Sequence, residues 1–506
     1  MLRTFGNIKN RLLNYLHLPY YVLGFVYIVK VLILFVVKPV YEFDEVILTQ
    51  ISKQAPTKLL DSVSVDPHPP GFYFLLKFFP VENVLYSKLL ILTLSFALFV
   101  LVIVYVYRSF TRPRALMIGL ALFFASYSFF SIPSVLKQDS LSLPILLMIF
   151  FMALKFVESR KVRREEITLI NLLSLILLFL GYVNYLYAVL IIAATFFVFK
   201  KDKYGQKLIF LQLLVFGLYI YLFGFTQLIN NTQRFSLVSE IPNSIISSLN
   251  FHLTGFTKFN FWSDSVLFAI FGFIFYFVSN TKKAKLKGVS TAFIVLLVCL
   301  IISLGYLAKL YVRVRYIVFL YFLLTFICGL VIFRLSSKFP NFRKYFISIF
   351  IFYLLSNTFV YASNLALTQR GENTVVAILN DTAIKTDRLG YVTDYNLGTM
   401  VFLMTHDVNS NVLPVSISYP ELVKRQEIDK QALFVNIRPI EKSVTEVSSI
   451  LDKNGLNDYI YLMELRVLDT DPNRVVLKSL KNICAGEDLI FAAPDAMIYH
   501  FSDCSN

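Results

Sequence analysis

Asp44 and Glu45 stand side by side, and His68 follows in Asp66-Pro67-His68-Pro69-Pro70-Gly71, all within a polar stretch, 39–85, of a very apolar chain. Paired carboxylates can act as a general base or hold a divalent metal; the plain alternative is a solvated loop with incidental acids. Prolines fix the entry into a helix, so His68 is expected near a helix N-terminus, a position that also favours anions. Lys137 and Asp139 lie in a second polar stretch, Ser-Ile-Pro-Ser-Val-Leu-Lys-Gln-Asp-Ser (131–140), where Asp139 either marks a membrane interface or adds a third carboxylate. Arg313 and Arg315 precede Tyr316, and residues 309–315 contain no acid. The planar donor fork of arginine suits phosphate, and a cation at the membrane edge with no local partner usually meets something anionic. Ordinary lipid-headgroup snorkelling is the competing reading.

The elements that position these residues are membrane helices. The chain has 506 residues, 57% hydrophobic and 16% aromatic, above the roughly half expected of a soluble domain. Several apolar runs approach or exceed the ~18–20 residues a spanning helix needs, and short alternating segments of the barrel type are not the pattern. Eleven spans are expected: 20–38, 86–107, 115–131, 141–157, 167–181, 183–199, 208–228, 263–280, 289–308, 316–333 and 345–363. The first run has no small-residue cleavage site after it, so no cleavable signal peptide is expected. The stretch FYFLLKFFPVENVLY, interrupted by Lys77, Pro80 and Glu82, suits a helix lying in the interface.

The net charge of +16 is unevenly placed: residues 1–363 carry a net +22 and residues 364–506 a net −6. With the N-terminus in the cytoplasm, the cytoplasmic loops hold 22 Lys/Arg in 56 residues, against nine in the longer opposite loops. That is the positive-inside pattern, and it argues against nucleic acid as the partner of the basic residues. The C-terminus is then extracytoplasmic.

Two domains are expected: a transmembrane part, 1–363, and a soluble α/β domain, 364–506. Candidate strands in the latter are Leu389–Thr393, Val412–Ile417, Ala432–Ile437, Tyr459–Glu464 and Asp488–Ala492, separated by amphipathic stretches that include Asn396–Thr405, Glu441–Lys453 and Arg474–Asn482. Apolar runs alternating with helical patterns suggest a layered sheet. Cys299 and Cys328 fall in spans and read as packing residues; Cys484 and Cys504 fall where a disulfide is plausible. His252 and Trp262 carry no motif, and His406 and His500 read as structural or surface residues.

In order and spacing, Asp44-Glu45, then His68-Pro69-Pro70 with Tyr73, then Arg315-Tyr316 resembles the GT-C membrane glycosyltransferases, in the protein-mannosyltransferase and aminoarabinose-transferase-like (family-39-like) branch. The resemblance covers roughly residues 20–330; the segment around Lys137–Asp139 fits it loosely, and the C-terminal domain is outside it. It implies a GT-C-like fold and a sugar donor carried on a polyprenyl or dolichyl phosphate. The acceptor, a glycan, lipid or protein, would be glycosylated at the outer face with inversion. Asp44 would be the base, and Glu45 with Asp139 would orient groups or a divalent cation (Mg, Mn or Zn). Arg313 or Arg315 would hold the lipid phosphate, and His68 would position it. From the residues alone Asp44 and Glu45 are equal candidates. A transporter or flippase of lipid-linked sugar should instead show charged or broken helices near the midplane, and a polymerase or ligase would share the outer arginines. A plasma (inner) membrane is expected over the endoplasmic reticulum.

Overall fold

The computed structural model describes residues 15–37, scattered positions in 45–59, 69–198 apart from 82, 112, 133–135 and 160–163, scattered positions in 210–221, and 318–383. In the tail it describes 389–393, 414–415, 432–436, 443–452, 457–464, 474–492 and 496–504. Contacts divide the chain into two compact units, 1–36 with 59–364, and 37–58 with 365–506. Residues 37–58, expected with the membrane helices, thus group with the C-terminal residues.

The first unit is helical: α1 Leu18–Val37, α2 Pro70–Leu76, α3 Val84–Ser109, α4 Arg114–Phe124, α5 Tyr127–Ser131, α6 Asp139–Ser159, α7 Arg164–Leu180, α8 Tyr182–Val198, α9 Val318–Lys338 and α10 Pro340–Ala383, of which Val37 and residues 365–383 count with the second unit. Among the described residues five helices are long and apolar enough to cross a membrane: α1, α3, α6, α9 and the 341–363 part of α10. The expected spans 263–280 and 289–308 lie outside the described residues.

Two expected spans differ in form. The span at 115–131 is broken between α4 and α5. The Ser126 hydroxyl donates to Phe123 O at 2.6 Å and accepts from Phe129 N at 3.3 Å, which closes one helix and caps the next. Asn357 of α10 donates to Ala125 O at 2.9 Å, completing the break from outside. The last span continues as helix to Ala383, and residues 364–383 contain no proline to stop it.

The helices meet through small residues and rings. Ala115 and Gly119 of α4 face Gly329 of α9: a Cβ on Gly329 would lie 2.7 Å from Gly119 Cα and 2.9 Å from Ala115 O. Only small residues allow such an approach, and in lipid close packing is the main force between helices. Around this contact Phe322 meets Phe123, Phe150 and Phe151 edge to face, with centroids 5.4, 5.5 and 5.8 Å apart.

Pro144 lies inside α6. Having no N–H, it leaves Ser140 O without its helical partner. The Ser95 hydroxyl of α3 donates to that carbonyl at 2.6 Å, with both residues buried. One hydrogen bond thus repairs α6 and ties it to α3.

In the second unit the described tail forms a six-stranded sheet of β1 Leu389–Thr393, β2 Pro414–Val415, β3 Ala432–Asn436, β4 Asp458–Glu464, β5 Cys484–Ala492 and β6 Ala496–Cys504, in the order β2-β3-β1-β4-β6-β5. The first four strands in that order are parallel, and β6 and β5 add an antiparallel hairpin. The helices α11 Val444–Asp452 and α12 Val475–Ile483 cover the sheet through Val447, Leu451, Val476 and Leu480, packed with Tyr459, Tyr461 and Phe501. A capping box starts α11: Ser443 Oγ accepts from Glu446 N, and Glu446 Oε2 accepts from Ser443 N at 2.7 Å. Cys484 and Cys504, paired across the open end of the hairpin, are joined by a disulfide closing a separation of 20 residues. Loop closure of that size is worth about 3 kcal/mol. Cys328 is a buried free thiol of α9, and Cys299 lies outside the described residues.

Two outcomes follow from these contacts. Ser95→Ala should destabilise the protein by about 1 kcal/mol, measured by unfolding in mixed micelles. In a Pro144→Ala background, which restores the helical N–H, the same change should cost almost nothing. The second concerns Tyr459, which is buried and donates to Leu451 O at 2.8 Å. Burial, and then the Asp452 charge, push its phenol up to about 12 from 10.0. The folded state therefore holds the proton more tightly than the unfolded one. The resulting stability is full below about pH 10 and is lost as the pH rises towards 12. Hydrogen exchange in β4 across pH 9–12 should show that loss, and Tyr459→Phe should flatten it.

Candidate functional site

The HPPG segment acquires its structure from its last three residues. Pro69 is extended (φ −66°, ψ 151°), Pro70 opens α2, and Phe72, Tyr73 and Leu76 are buried. A Cβ on Gly71 would lie 2.6 Å from Phe179 O, so only glycine lets α2 rest on the backbone at the end of α7. The expected interface helix is thus a seven-residue element, with Phe74 and Phe78 exposed beside the buried face.

The turn between α7 and α8 carries the contact onward. A Cβ on Gly181 would lie 3.6 Å from Gln138 Cγ and 3.5 Å from Ser142 Oγ. Asn184 Nδ2 donates to Ser142 Oγ from α8. The start of α2 and the start of α6 therefore adjoin the same turn, Phe179–Gly181. Lys137 and Asp139 are half-buried at this corner, with Asp139 as the first residue of α6. Ser140 N donates to Lys137 O at 3.1 Å, and Leu141 N and Ser142 N donate to Gln138 O, which winds Lys137–Asp139 into the helix entry. The Ser140 hydroxyl donates to Ile132 O at 2.8 Å and holds the preceding loop.

Of the other expected site residues, Glu45 is helical and fully buried in the second unit. Asp44, His68, Arg313, Arg315 and Tyr316 lie outside the described residues, as do His252 and Trp262. Among the described residues no group of three or more His, Cys, Asp or Glu could hold a metal. Of the acids expected to bind one, Glu45 falls in one unit and Asp139 in the other.

Sequence reasoning passed over three residues. Lys30 and Lys88 are buried in α1 and α3. The Lys30 ammonium lies 5.0 Å from the centroid of the Tyr361 ring, a cation–π distance. The signal was available, because each is a lone charge in a long apolar run. Lys88 is the fifth residue of α3, and Lys30 stands seven residues, about 10 Å, before the end of α1. Lys88 is therefore near the end of α3 that adjoins residues 38–83, whereas Lys30 lies nearer the middle of α1. The third is Gln138, 7% exposed, whose side-chain oxygen accepts no hydrogen bond. It is neutral and was hidden between two charges.

No protein-family model matches the chain, and no curated protein matches it. Among solved structures, it is similar to the crystal structure of ArnT from Cupriavidus metallidurans in the apo state. The identity is 11% and the TM-score 0.48, over 90% of this chain and 92% of that one. It is also similar to the crystal structure of the same protein bound to undecaprenyl phosphate, with 13% identity and a TM-score of 0.43, over 86% of this chain and 88% of that one.

Proposed function

We propose that this chain is an integral-membrane glycosyltransferase that moves a sugar from a polyprenyl- or dolichyl-phosphate carrier to an acceptor hydroxyl at the outer face of a plasma membrane, with inversion. The observation that carries the reading is the ordered set Asp44-Glu45, His68-Pro69-Pro70 with Tyr73, and Arg315-Tyr316 on a chain of apolar helices. The corner at which α2 and α6 adjoin the Phe179–Gly181 turn supports it, because it brings the HPPG segment to the entry of Lys137–Asp139.

In this reading the Asp44 carboxylate takes the proton of the acceptor hydroxyl as its oxygen attacks C1 of the sugar. The C1–oxygen bond to phosphate breaks on the opposite side, and the electron pair leaves with the lipid phosphate. Arg313 and Arg315 receive that charge through charge-assisted hydrogen bonds. Glu45 orients the acceptor, and His68, just before the seated start of α2, orients the phosphate. A Mg, Mn or Zn ion bound by Asp44 and Glu45 would polarise a phosphate oxygen, but no described set of donors outlines such a site.

A transporter should place its charges at mid-helix. Lys88 and Lys137–Asp139 sit instead at helix entries, which favours the transferase, while Lys30 lies nearer the middle of α1. Asp44→Asn should abolish transfer of label from polyprenyl-phosphate sugars in membranes, by at least a hundredfold, with the protein still folded and inserted. Full activity in that variant would remove Asp44 as the base. Arg315→Ala should weaken use of the lipid donor about tenfold or more and leave the acceptor KM unchanged; equal effects on both would count against a phosphate role.

A further inference from the structure

We infer that Gln138 is a sugar-recognising residue, its side-chain carbonyl accepting a hydrogen bond from a hydroxyl of the sugar on the lipid-phosphate donor. The inference rests on the glycosyltransferase reading and adds to it a residue that fixes substrate choice.

Gln138 is 7% exposed and its Oε1 has no hydrogen-bond partner. A buried acceptor left in that state is unfavourable, and such groups call for a specific explanation. Its neighbours do not supply one. Ser142 Oγ already accepts from Asn184 Nδ2, Ser140 Oγ is committed to Ile132 O, and Ser95 Oγ to Ser140 O. The Ser140 and Ser95 hydroxyls thus donate elsewhere, Ser142 is met from Asn184, and the amide oxygen of Gln138 is left with no donor from the protein. Gly181 backs the side chain, with its absent Cβ 3.6 Å from Gln138 Cγ.

The position suits a sugar. Gln138 stands between Lys137 and Asp139, both half-buried, at the entry of α6. A carboxylate and an amide carbonyl side by side both accept hydrogen bonds, and the groups of a sugar that donate them are its hydroxyls. The corner lies where α2 begins, beside the segment assigned above to the phosphate. A buried acceptor built for one hydroxyl rejects an analogue that lacks it far more strongly than an apolar pocket can. A hydroxyl of the acceptor has the same chemistry, so the test omits the acceptor.

Wild type and Gln138→Met, both full length in lipid nanodiscs, would be titrated with undecaprenyl phosphate, bare or carrying glucose, mannose or galactose. Thermal unfolding would be recorded without ligand. The wild type should bind at least one sugar-bearing lipid tenfold or more tighter than the bare lipid. Gln138→Met should keep the affinity for bare lipid, lose that preference, and unfold at an equal or higher temperature, because an apolar side chain of similar shape removes an unsatisfied acceptor. A variant that keeps the preference, or that loses it together with a lower unfolding temperature, overturns the inference. So does a wild type that binds every sugar-bearing lipid no better than the bare one, while the lipid-donor reading survives. A wild type that binds neither kind of lipid overturns that reading, and the inference with it.

Discussion

A helix in lipid has no water to complete its backbone, so every carbonyl that loses its helical partner must be answered by protein. This chain breaks its helices twice within the described bundle and answers both times from another helix. Pro144 leaves Ser140 O open, and Ser95 closes it from α3. The gap between α4 and α5 exposes Ala125 O, and Asn357 closes it from α10, 232 residues away in sequence. Each irregularity becomes a cross-link. The start of α6, which Lys137 and Gln138 lead into and Asp139 opens, is held in place because its proline made it dependent on α3.

Glycine supplies the complementary constraint. Where side chains reach across to carbonyls, backbones must also come close, and Gly119 against Gly329 and Gly71 against Phe179 mark where they do. At Gly71 this has a chemical consequence. Two prolines alone would set the direction of the chain into α2 but not its place. The glycine sets the place, against the end of α7, and so brings the HPPG segment next to the turn that backs Gln138. The string Pro69-Pro70-Gly71 is therefore both a helix start and an anchor.

Much of this was legible from periodicity. The apolar runs that became α1, α3, α6 and α9 announce themselves by length, and β1 and β3 fall where short β-branched and aromatic runs put them. The break at Ala125–Ser126 was not legible, because Ser126 looks like any small residue in an apolar run and the partner of Ala125 O lies 232 residues on. The strand β6 was passed over although Met497, Tyr499 and Phe501 alternate on the core side, since His500, Ser502 and Asp503 make the run look polar. Asp44-Glu45 drew attention by charge. Gln138 did not, because an amide becomes conspicuous only once its burial and its missing partner are seen.

The distribution of polarity along the helices bears on what kind of machine this is. A protein that carries a charged headgroup across the bilayer needs polar groups along the whole route. Here Lys88 is buried near the start of α3 and Lys137–Asp139 sit at the entry of α6, while Lys30 is buried about 10 Å inside α1 against the Tyr361 ring. The packing around Gly119 and Gly329, by contrast, is almost wholly aromatic and aliphatic. Burying an ammonium in that interior would be costly, whereas near the helix ends the cost falls and an anionic headgroup can repay it. Among the described helices, polar groups gathered at the starts of α3 and α6 suit a protein that holds a lipid-borne phosphate where it lies and does chemistry on what the phosphate carries.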